Sequence, residues 1–210
     1  MKVLSVFTSK GGSGKSTIAI HMAVIASQQK RKNRVLMLDY DVQESSRFWA
    51  RTRQEANPPL LPADPGNLDG YLSQAREEGI DLVVIDLPPH SATQSGLALE
   101  RSDLVAIPVR PGAFDLWAMQ TTVEAVEDAG AKGVFILNQV PPRGVEADET
   151  EEVLRAKVPQ FPVAKARLGL RKPFSSALNA GLAITEFAGP KEKASQEAVA
   201  LFNEIKGLLK

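Results

Sequence analysis

The stretch Thr8-Ser-Lys-Gly-Gly-Ser-Gly-Lys-Ser-Thr17 decides the fold of this chain. It fits a variant of the phosphate-binding loop (P-loop), Gly, four residues and Gly-Lys-Ser/Thr, with Ser9 in the first position. Glycine has no Cβ, so backbone N–H groups in the loop can approach phosphate oxygens closely. We expect the nucleotide-binding residues of the loop to be Gly11, Gly12, Ser13, Gly14, Lys15, Ser16 and Thr17. Lys15 is expected to reach the β- and γ-phosphates, and the hydroxyl of Ser16 to bind Mg²⁺.

The sequence on either side of the loop supports this interpretation. Lys2–Phe7 is a short apolar run typical of a buried strand, and Ser16–Gln29 carries apolar residues at helical spacing. A glycine-rich stretch alone can be a loop without a ligand, but strand, loop and helix together are the context that the motif requires. The loop also contains Lys10, a second lysine that an ordinary P-loop does not need.

Bulk composition limits the classes of function. The chain has 210 residues and no obvious linker, which predicts one domain over residues 1–210. Its 25 basic and 25 acidic residues cancel, so any contact with nucleic acid must come from a local patch. The absence of cysteine excludes disulfides and thiolate metal sites and fits a reducing cytoplasm. We expect no signal peptide and no membrane span, because the chain starts with a strand and no apolar run is long enough.

Short apolar runs alternate with helical patterns along the chain. The predicted strands are Lys2–Phe7, Arg34–Leu38, Leu82–Asp86, Leu104–Val109 and Gly133–Leu137. The predicted helices are Ser16–Gln29, Asn67–Glu78, Leu116–Asp128 and Ala194–Leu209. Asn57–Gly66 is rich in turn-forming residues and is predicted to be a loop. The pattern predicts an α/β, single-domain P-loop NTPase fold, with a mostly parallel twisted sheet and helices on both faces.

Three aspartates follow predicted strands, at the edge where an open parallel sheet binds its ligands. Asp86 comes after four apolar residues and suits the carboxylate that holds the Mg²⁺ of a nucleotide. Of Asp39 and Asp41, one can support the metal while the other positions or activates the attacking water. The alternative is that these aspartates cap helices or start turns.

The motifs together resemble the ParA/MinD family of deviant-Walker ATPases. In size the chain is most similar to short ParA proteins of plasmid partition, the ParF type, and relatives of similar size position other cargoes such as carboxysomes; the resemblance implies segregation of plasmid or chromosomal DNA, or positioning of another cargo. The matching segments are Lys10–Thr17, Leu38–Gln43, Val84–Pro89, Pro108–Pro111 and Ile136–Pro141. The likeness spans nearly the whole chain in the right order. The chain departs from the family at Val42, where proline is usual, and at His21, where asparagine is common. Neither departure removes a charged catalytic group.

The resemblance implies a role for each polar residue of the site. It implies that Lys10 crosses a dimer interface to the partner's nucleotide, so that two ATP molecules lie between two subunits. Asp41 is the implied water-positioning residue, and Asp39 joins Ser16 and Asp86 as an expected metal-site residue. Lys10, Lys15 and Asp41 are therefore the expected catalytic residues. Asn138 matches an adenine-recognising asparagine, with a strand-end turn as the alternative. ATP or ADP and Mg²⁺ are the expected cofactors.

The resemblance also implies partners and a location. It implies an ATP-dependent homodimer, a ParB-like or other cargo-adaptor protein that stimulates hydrolysis, nonspecific DNA, and a cytoplasmic, nucleoid-associated location. The segment Lys165–Lys172 has four basic residues and no acidic one, and its candidate DNA-binding residues are Arg167, Arg171 and Lys172. A solvated loop is the alternative for this segment.

Other functions remain open from the sequence. A membrane-cycling regulator of the MinD type would use the amphipathic C-terminal helix, although Glu204 lies among its basic residues. A small-molecule enzyme of the dethiobiotin-synthetase type would need a substrate pocket, for which Arg110, Arg143 and His90 are weak candidates. The segment Arg47–Arg53, with Trp49, is either part of a partner surface or an ordinary helix.

Overall fold

The computed structural model of the protein describes residues 1–29, 33–40, 45–89 and 92–210. Within helices, the side chains of residues 45, 92–94 and 113–118 lie outside this description. The strands are β1 (Lys2–Val6), β2 (Val35–Asp39), β3 (Leu60–Pro62), β4 (Leu82–Asp86), β5 (Leu104–Val109) and β6 (Gly133–Leu137). The helices are α1 (Lys15–Ser27), α2 (Ser45–Thr52), α3 (Leu68–Glu77), α4 (Ala92–Glu100), α5 (Ala113–Asp128), α6 (Glu146–Lys157), α7 (Lys172–Asn179), α8 (Ile184–Phe187) and α9 (Lys193–Leu208).

The described strands form one six-stranded sheet in the order β3-β2-β4-β1-β5-β6. Every pairing in it is parallel. Side chains alternate between the two faces: Leu4 and Val6 point to one apolar cluster, and Val3 to the other. All the described strands except the edge strand β3 are buried on both faces, which explains their apolar runs without alternation.

Helices cover both faces of the sheet. One apolar cluster contains side chains from α1, α2, α7, α8 and α9, and the other contains side chains from α3, α4, α5 and α6. This arrangement confirms the predicted α/β fold class, with a parallel sheet between two helical layers.

The prediction that Asn57–Gly66 is a loop was wrong in part. β3 lies within this segment and extends the sheet, with Met37 of β2 opposite Leu60, and a 3-10 turn follows at Pro65–Asn67. Proline is tolerated here because β3 is at the edge of the sheet, where a missing N–H removes no ladder bond. The turn-forming composition of the segment did not indicate a strand, because β3 has only three residues.

The C-terminal helix packs on the sheet. Its apolar side chains Ala198, Leu201, Phe202 and Ile205 are buried in the same cluster as α1. The sequence had left membrane contact open for this helix, but its apolar face is already covered by protein. No helix in the described part of the chain is long and apolar enough to cross a membrane.

Candidate functional site

The P-loop connects the end of β1 to the start of α1. Gly12 and Gly14 have φ angles of 73° and 90°, a left-handed conformation that glycine adopts without strain. Gly14 is the N-cap of α1, so the first free N–H groups of the helix lie at the loop. Lys15 is buried, and its Nζ donates to the backbone oxygen of Lys10 at 3.3 Å. The loop lines a cavity of about 720 Å³, into which Phe48 and Trp49 of α2 also face.

Thr122 supports the entrance of the P-loop from α5. The N–H of Ser9 donates to Oγ1 of Thr122 at 3.0 Å, and the two hydroxyls lie 3.0 Å apart. Thr122 is fully buried. Sequence reasoning missed this residue, because no local pattern marks a threonine more than a hundred positions away as a neighbour of the loop.

Two amide side chains from the end of β6 reach the other side of the P-loop. Nδ2 of Asn138 donates to the backbone oxygen of Ser13 at 2.7 Å, and Nε2 of Gln139 donates to that of Gly12 at 3.0 Å. Asn138 also lines a second cavity of about 540 Å³, between Thr17 and α7. The structure therefore places Asn138 at the P-loop, and its role in nucleotide binding stays a prediction. Gln139 was not identified from the sequence.

Asp39 and Asp86 end neighbouring strands and are paired in register. Asp86 is also opposite Val6, the last residue of β1, so both carboxylates lie beside the origin of the P-loop. Both are fully buried. Buried carboxylates are costly unless hydrogen bonds or cations compensate the charge, so this pair is a strong sign of a functional site.

The first turn of α2 supplies partners to the two carboxylates. The hydroxyl of Ser46 donates to Oδ2 of Asp86 at 2.6 Å. Nε of Arg47 lies 3.5 Å from Oδ2 of Asp39. The sequence did not place Ser46 or Arg47 at this site, because their proximity to the strand ends comes from the packing of α2. The same packing buries Trp49, whose Nε1 donates to the oxygen of Leu182, so its ring belongs to the core and not to an exposed surface.

The donor set at this edge suits Mg²⁺ better than a transition metal. Among the described residues, no group of three or more His, Cys, Asp or Glu side chains could hold a metal on its own. Mg²⁺ commonly takes one or two carboxylates and completes its shell with phosphate oxygens and water. Asp39, Asp86 and the hydroxyl of Ser16 are of the right chemistry to hold it beside a nucleotide. Asp41, the expected water-positioning residue, lies outside the described residues.

His21 is buried in α1, one turn beyond Thr17. Its Nδ1 lies 2.6 Å from the backbone oxygen of Thr17, and its ring meets Phe174 edge-on at 5.4 Å. Burial lowers the pKa of His21 to about 4, although the Thr17 oxygen and the charge of Glu186 act in the opposite direction. The imidazole is therefore neutral near pH 7, with Nδ1–H as the donor, and it supports the helix that starts at the P-loop.

The basic segment Lys165–Lys172 is partly neutralised by carboxylates. Arg167 forms ion pairs of 2.6 Å with Asp148 and with Glu151, and Arg171 forms one of 2.8 Å with Glu197. Hydrogen bonds from Arg167 hold the pKa of Glu151 below its usual range. Lys172 is exposed and, among the described residues, has no carboxylate partner.

Comparisons with known proteins agree with this geometry. The model of the CobQ/CobB/MinD/ParA nucleotide binding domain matches residues 4–198. Maintenance of carboxysome distribution protein A of Gloeobacter kilaueensis is 31% identical over 217 aligned positions, which cover 97% of this chain and 92% of that protein. The structure of apo McdA from Cyanothece covers 100% of both chains at 20% identity and a TM-score of 0.77. MinD of Pyrococcus horikoshii, complexed with Mg-ADP, has a TM-score of 0.77 at 17% identity, over 99% of this chain and 96% of that one. The chain therefore belongs to the CobQ/CobB/MinD/ParA family of nucleotide-binding domains.

Proposed function

We propose that this protein is a ParA/MinD-type ATPase whose ATP-bound dimer positions an intracellular cargo on DNA. Hydrolysis of ATP to ADP and phosphate is slow in the isolated protein and is stimulated by an adaptor protein. ATP or ADP and Mg²⁺ are the proposed cofactors. Membership of the family supports nucleotide binding, and the geometry of the site supports hydrolysis.

The observation that carries the proposal is the pair of buried carboxylates, Asp39 and Asp86, beside the P-loop. A site that bound phosphates alone would gain nothing from buried negative charge, because like charges repel at short range. Asp39 and Asp86 would instead hold a bound Mg²⁺, which would supply positive charge against the carboxylates and the phosphates during phosphoryl transfer. The carboxylates therefore favour a nucleotide–Mg²⁺ site over a simple anion site.

Other residues of the site are proposed to bind the phosphates, to act across the dimer and to position water. The N–H groups of the P-loop and the start of α1 bind the phosphates, and Lys15 neutralises their charge. Lys10 is proposed to act on the nucleotide of the partner subunit, which makes dimerisation depend on ATP. Asp41 is proposed to position the attacking water.

Lys10 provides the test of the dimeric mechanism. Lys10→Ala is expected to abolish the ATP-induced dimer in light scattering while much of the nucleotide affinity remains. Lys132→Ala, which removes an exposed lysine outside the loop, is the matched control and should dimerise normally. A full ATP-induced dimer in Lys10→Ala would show that the lysine does not act in trans.

DNA binding is proposed to rest on phosphate contacts without sequence readout. Of Arg167, Arg171 and Lys172, the last is the strongest candidate, because the two arginines already pair with carboxylates. The ATP-loaded protein is expected to shift random DNA at low salt, with binding that weakens steeply as salt rises. Lys172→Glu should weaken the shift more than Lys132→Glu, which changes the net charge by the same amount. No shift with ATP and Mg²⁺ at low salt would refute the DNA-bound state.

The cargo is proposed from the likeness to a carboxysome distribution protein, which favours a large intracellular body. Segregation of a plasmid or chromosome, the expectation from short ParA proteins, is the other class of cargo. A ParB-like or other adaptor encoded beside this gene should accelerate ATP hydrolysis in the presence of DNA. If that adaptor left the rate of ATP hydrolysis unchanged, it would not be the partner of this ATPase.

The alternative functions have less support. The apolar face of α9 is buried, which disfavours a membrane-cycling role for this helix. Arg110 and Arg143 do not line the cavity at the P-loop in the described part of the chain, and His90 lies outside it. The cavity therefore gives no support from Arg110 or Arg143 to a small-molecule enzyme of the dethiobiotin-synthetase type, and such an enzyme would give no salt-sensitive DNA shift.

A further inference from the structure

The side chains of Asn138 and Gln139 donate to consecutive carbonyl groups of the P-loop, those of Ser13 and Gly12. Both residues lie directly after β6, and the N–H of Asn138 continues the ladder by donating to the oxygen of Val109 at 2.8 Å. The amides therefore project from a rigid strand end and not from a free loop. Asn138 is 5% exposed, so its bond to Ser13 is shielded from water.

The shape of the loop is fitted to these amides. A Cβ on Gly14 would clash with Nδ2 of Asn138, so the glycine is required by this contact as well as by its φ of 90°. Gln139 has a φ of 55°, the one positive φ of a non-glycine residue in the described part of the chain. Backbone of this kind costs about 1 kcal/mol or more and persists where surrounding structure holds it. Here it directs the Gln139 side chain to Gly12.

The planarity of the peptide bond connects these contacts to phosphate binding. In a trans peptide, the C=O and N–H groups point in opposite directions. Fixing the carbonyls of Gly12 and Ser13 towards β6 therefore turns the N–H groups of Ser13 and Gly14 the other way. A hydrogen bond accepted by the carbonyl also polarises the N–H of the same peptide and strengthens it as a donor.

We propose that Asn138 and Gln139 are positioning residues that set two P-loop peptide planes for phosphate binding. Asn138 then acts mainly on phosphate affinity, because the N–H that it donates to Ser13 holds its amide against the loop. This assignment rests on the proposed nucleotide binding by the same loop. It differs from the adenine-recognising role that the family resemblance implies for Asn138.

Tripolyphosphate, which has no base, distinguishes the positioning of the P-loop from recognition of adenine. We would measure the affinities of tripolyphosphate, ATP and GTP by calorimetry for the wild-type protein, Asn138→Ala and Gln139→Met. Gln74→Met is the matched control, because it removes an exposed amide that donates to Glu78 within one helical turn. Asn138→Ala is expected to lose about tenfold in affinity for tripolyphosphate and for ATP alike, the effect of one missing buried hydrogen bond. Gln139→Met removes an exposed hydrogen bond and is expected to lose about threefold in affinity for both ligands. The ratio of ATP to GTP affinity should stay unchanged.

The outcomes separate this assignment from the proposed function. Wild-type affinity for tripolyphosphate in both variants, with a loss confined to ATP, would overturn the positioning role and favour base recognition. A wild-type protein that binds neither ATP nor tripolyphosphate would overturn nucleotide binding itself. Circular dichroism checks the fold of each variant. Gln139 is only half-buried, so Gln139→Met decides the matter if Asn138→Ala does not fold.

Discussion

Arg53 and Glu186 form a two-point ion pair that joins α2 to α8. Nη1 and Nη2 of Arg53 each lie 2.8 Å from a carboxylate oxygen of Glu186. The side chains are only 3% and 17% exposed, and the guanidinium lies 4.9 Å from the ring centroid of Trp49. The helix that supplies Ser46 and Arg47 to the buried carboxylates is thus fixed at its other end to the C-terminal part of the fold.

Glu186→Gln is expected to destabilise the protein by about 3 kcal/mol, because it leaves the charge of Arg53 buried without its counter-charge. Urea unfolding measures this free energy. The matched control is Asp69→Asn, which breaks a two-point pair with Arg101 whose side chains are 63% and 41% exposed. That variant should lose much less stability, because solvent screens an exposed pair. Equal losses in the two variants would show that burial of the Arg53 pair has no energetic consequence.

Gly181→Ala is expected to disturb the same junction sterically. A Cβ on Gly181 would lie 2.6 Å from the backbone nitrogen of Arg53, at the end of α2. Gly130 is a matched control, because its φ of 64° resembles the 71° of Gly181, while a Cβ there would meet nothing within 4 Å. Gly130→Ala should cost about 1–2 kcal/mol for the left-handed backbone alone. Urea unfolding should show a clearly larger loss of stability for Gly181→Ala than for Gly130→Ala. Equal losses would mean that the close contact between Gly181 and Arg53 is not needed for stability.

Local motifs explain how much of the site could be predicted from the sequence. The P-loop, Asp39 and Asp86 were predicted because each is part of a short pattern that follows a strand. Thr122, Gln139 and Arg47 were not, because only tertiary packing brings them to the site. β3 was missed for a different reason: its proline-rich sequence resembles a turn, and only its pairing with β2 makes it a strand.

Arg47→Gln is expected to increase the affinity of the site for Mg²⁺. The guanidinium of Arg47 lies 3.5 Å from Asp39, where it compensates the carboxylate that a metal would also attract. Without this positive charge, the carboxylate of Asp39 attracts a cation more strongly. We expect the affinity for Mg²⁺ to rise three- to tenfold, about 1 kcal/mol. The measurement is the shift of the thermal midpoint with increasing MgCl2 at fixed ADP.

Arg51→Gln is the control for this titration, because it removes the same charge from the exposed side of α2. Its response to Mg²⁺ should match that of the wild-type protein. If Arg47→Gln also matched the wild-type curve, Arg47 would have no part in balancing the charge of Asp39.

His21 is expected to make the stability of the protein depend on pH. Its pKa falls from 6.5 in the unfolded chain to about 4 in the fold, so the unfolded chain binds the extra proton between these values. Stability is therefore fully present above about pH 6.5 and is lost as pH falls towards 4, by about 1.4 kcal/mol at pH 5.5. Glu186 moderates the loss, because its negative charge favours protonated His21.

Urea unfolding at several pH values between 7 and 5 tests this dependence on His21 against other titrating groups. His21→Gln should flatten the decline in stability over this range, whatever its stability at pH 7. His90→Gln removes the second of the two histidines and should keep the wild-type decline. A decline in His21→Gln as steep as in the wild-type protein would place the responsible proton on another group. It would also imply that His21 takes up its proton over the same pH range in the folded and unfolded states, since only a difference between the two pKa values gives a decline.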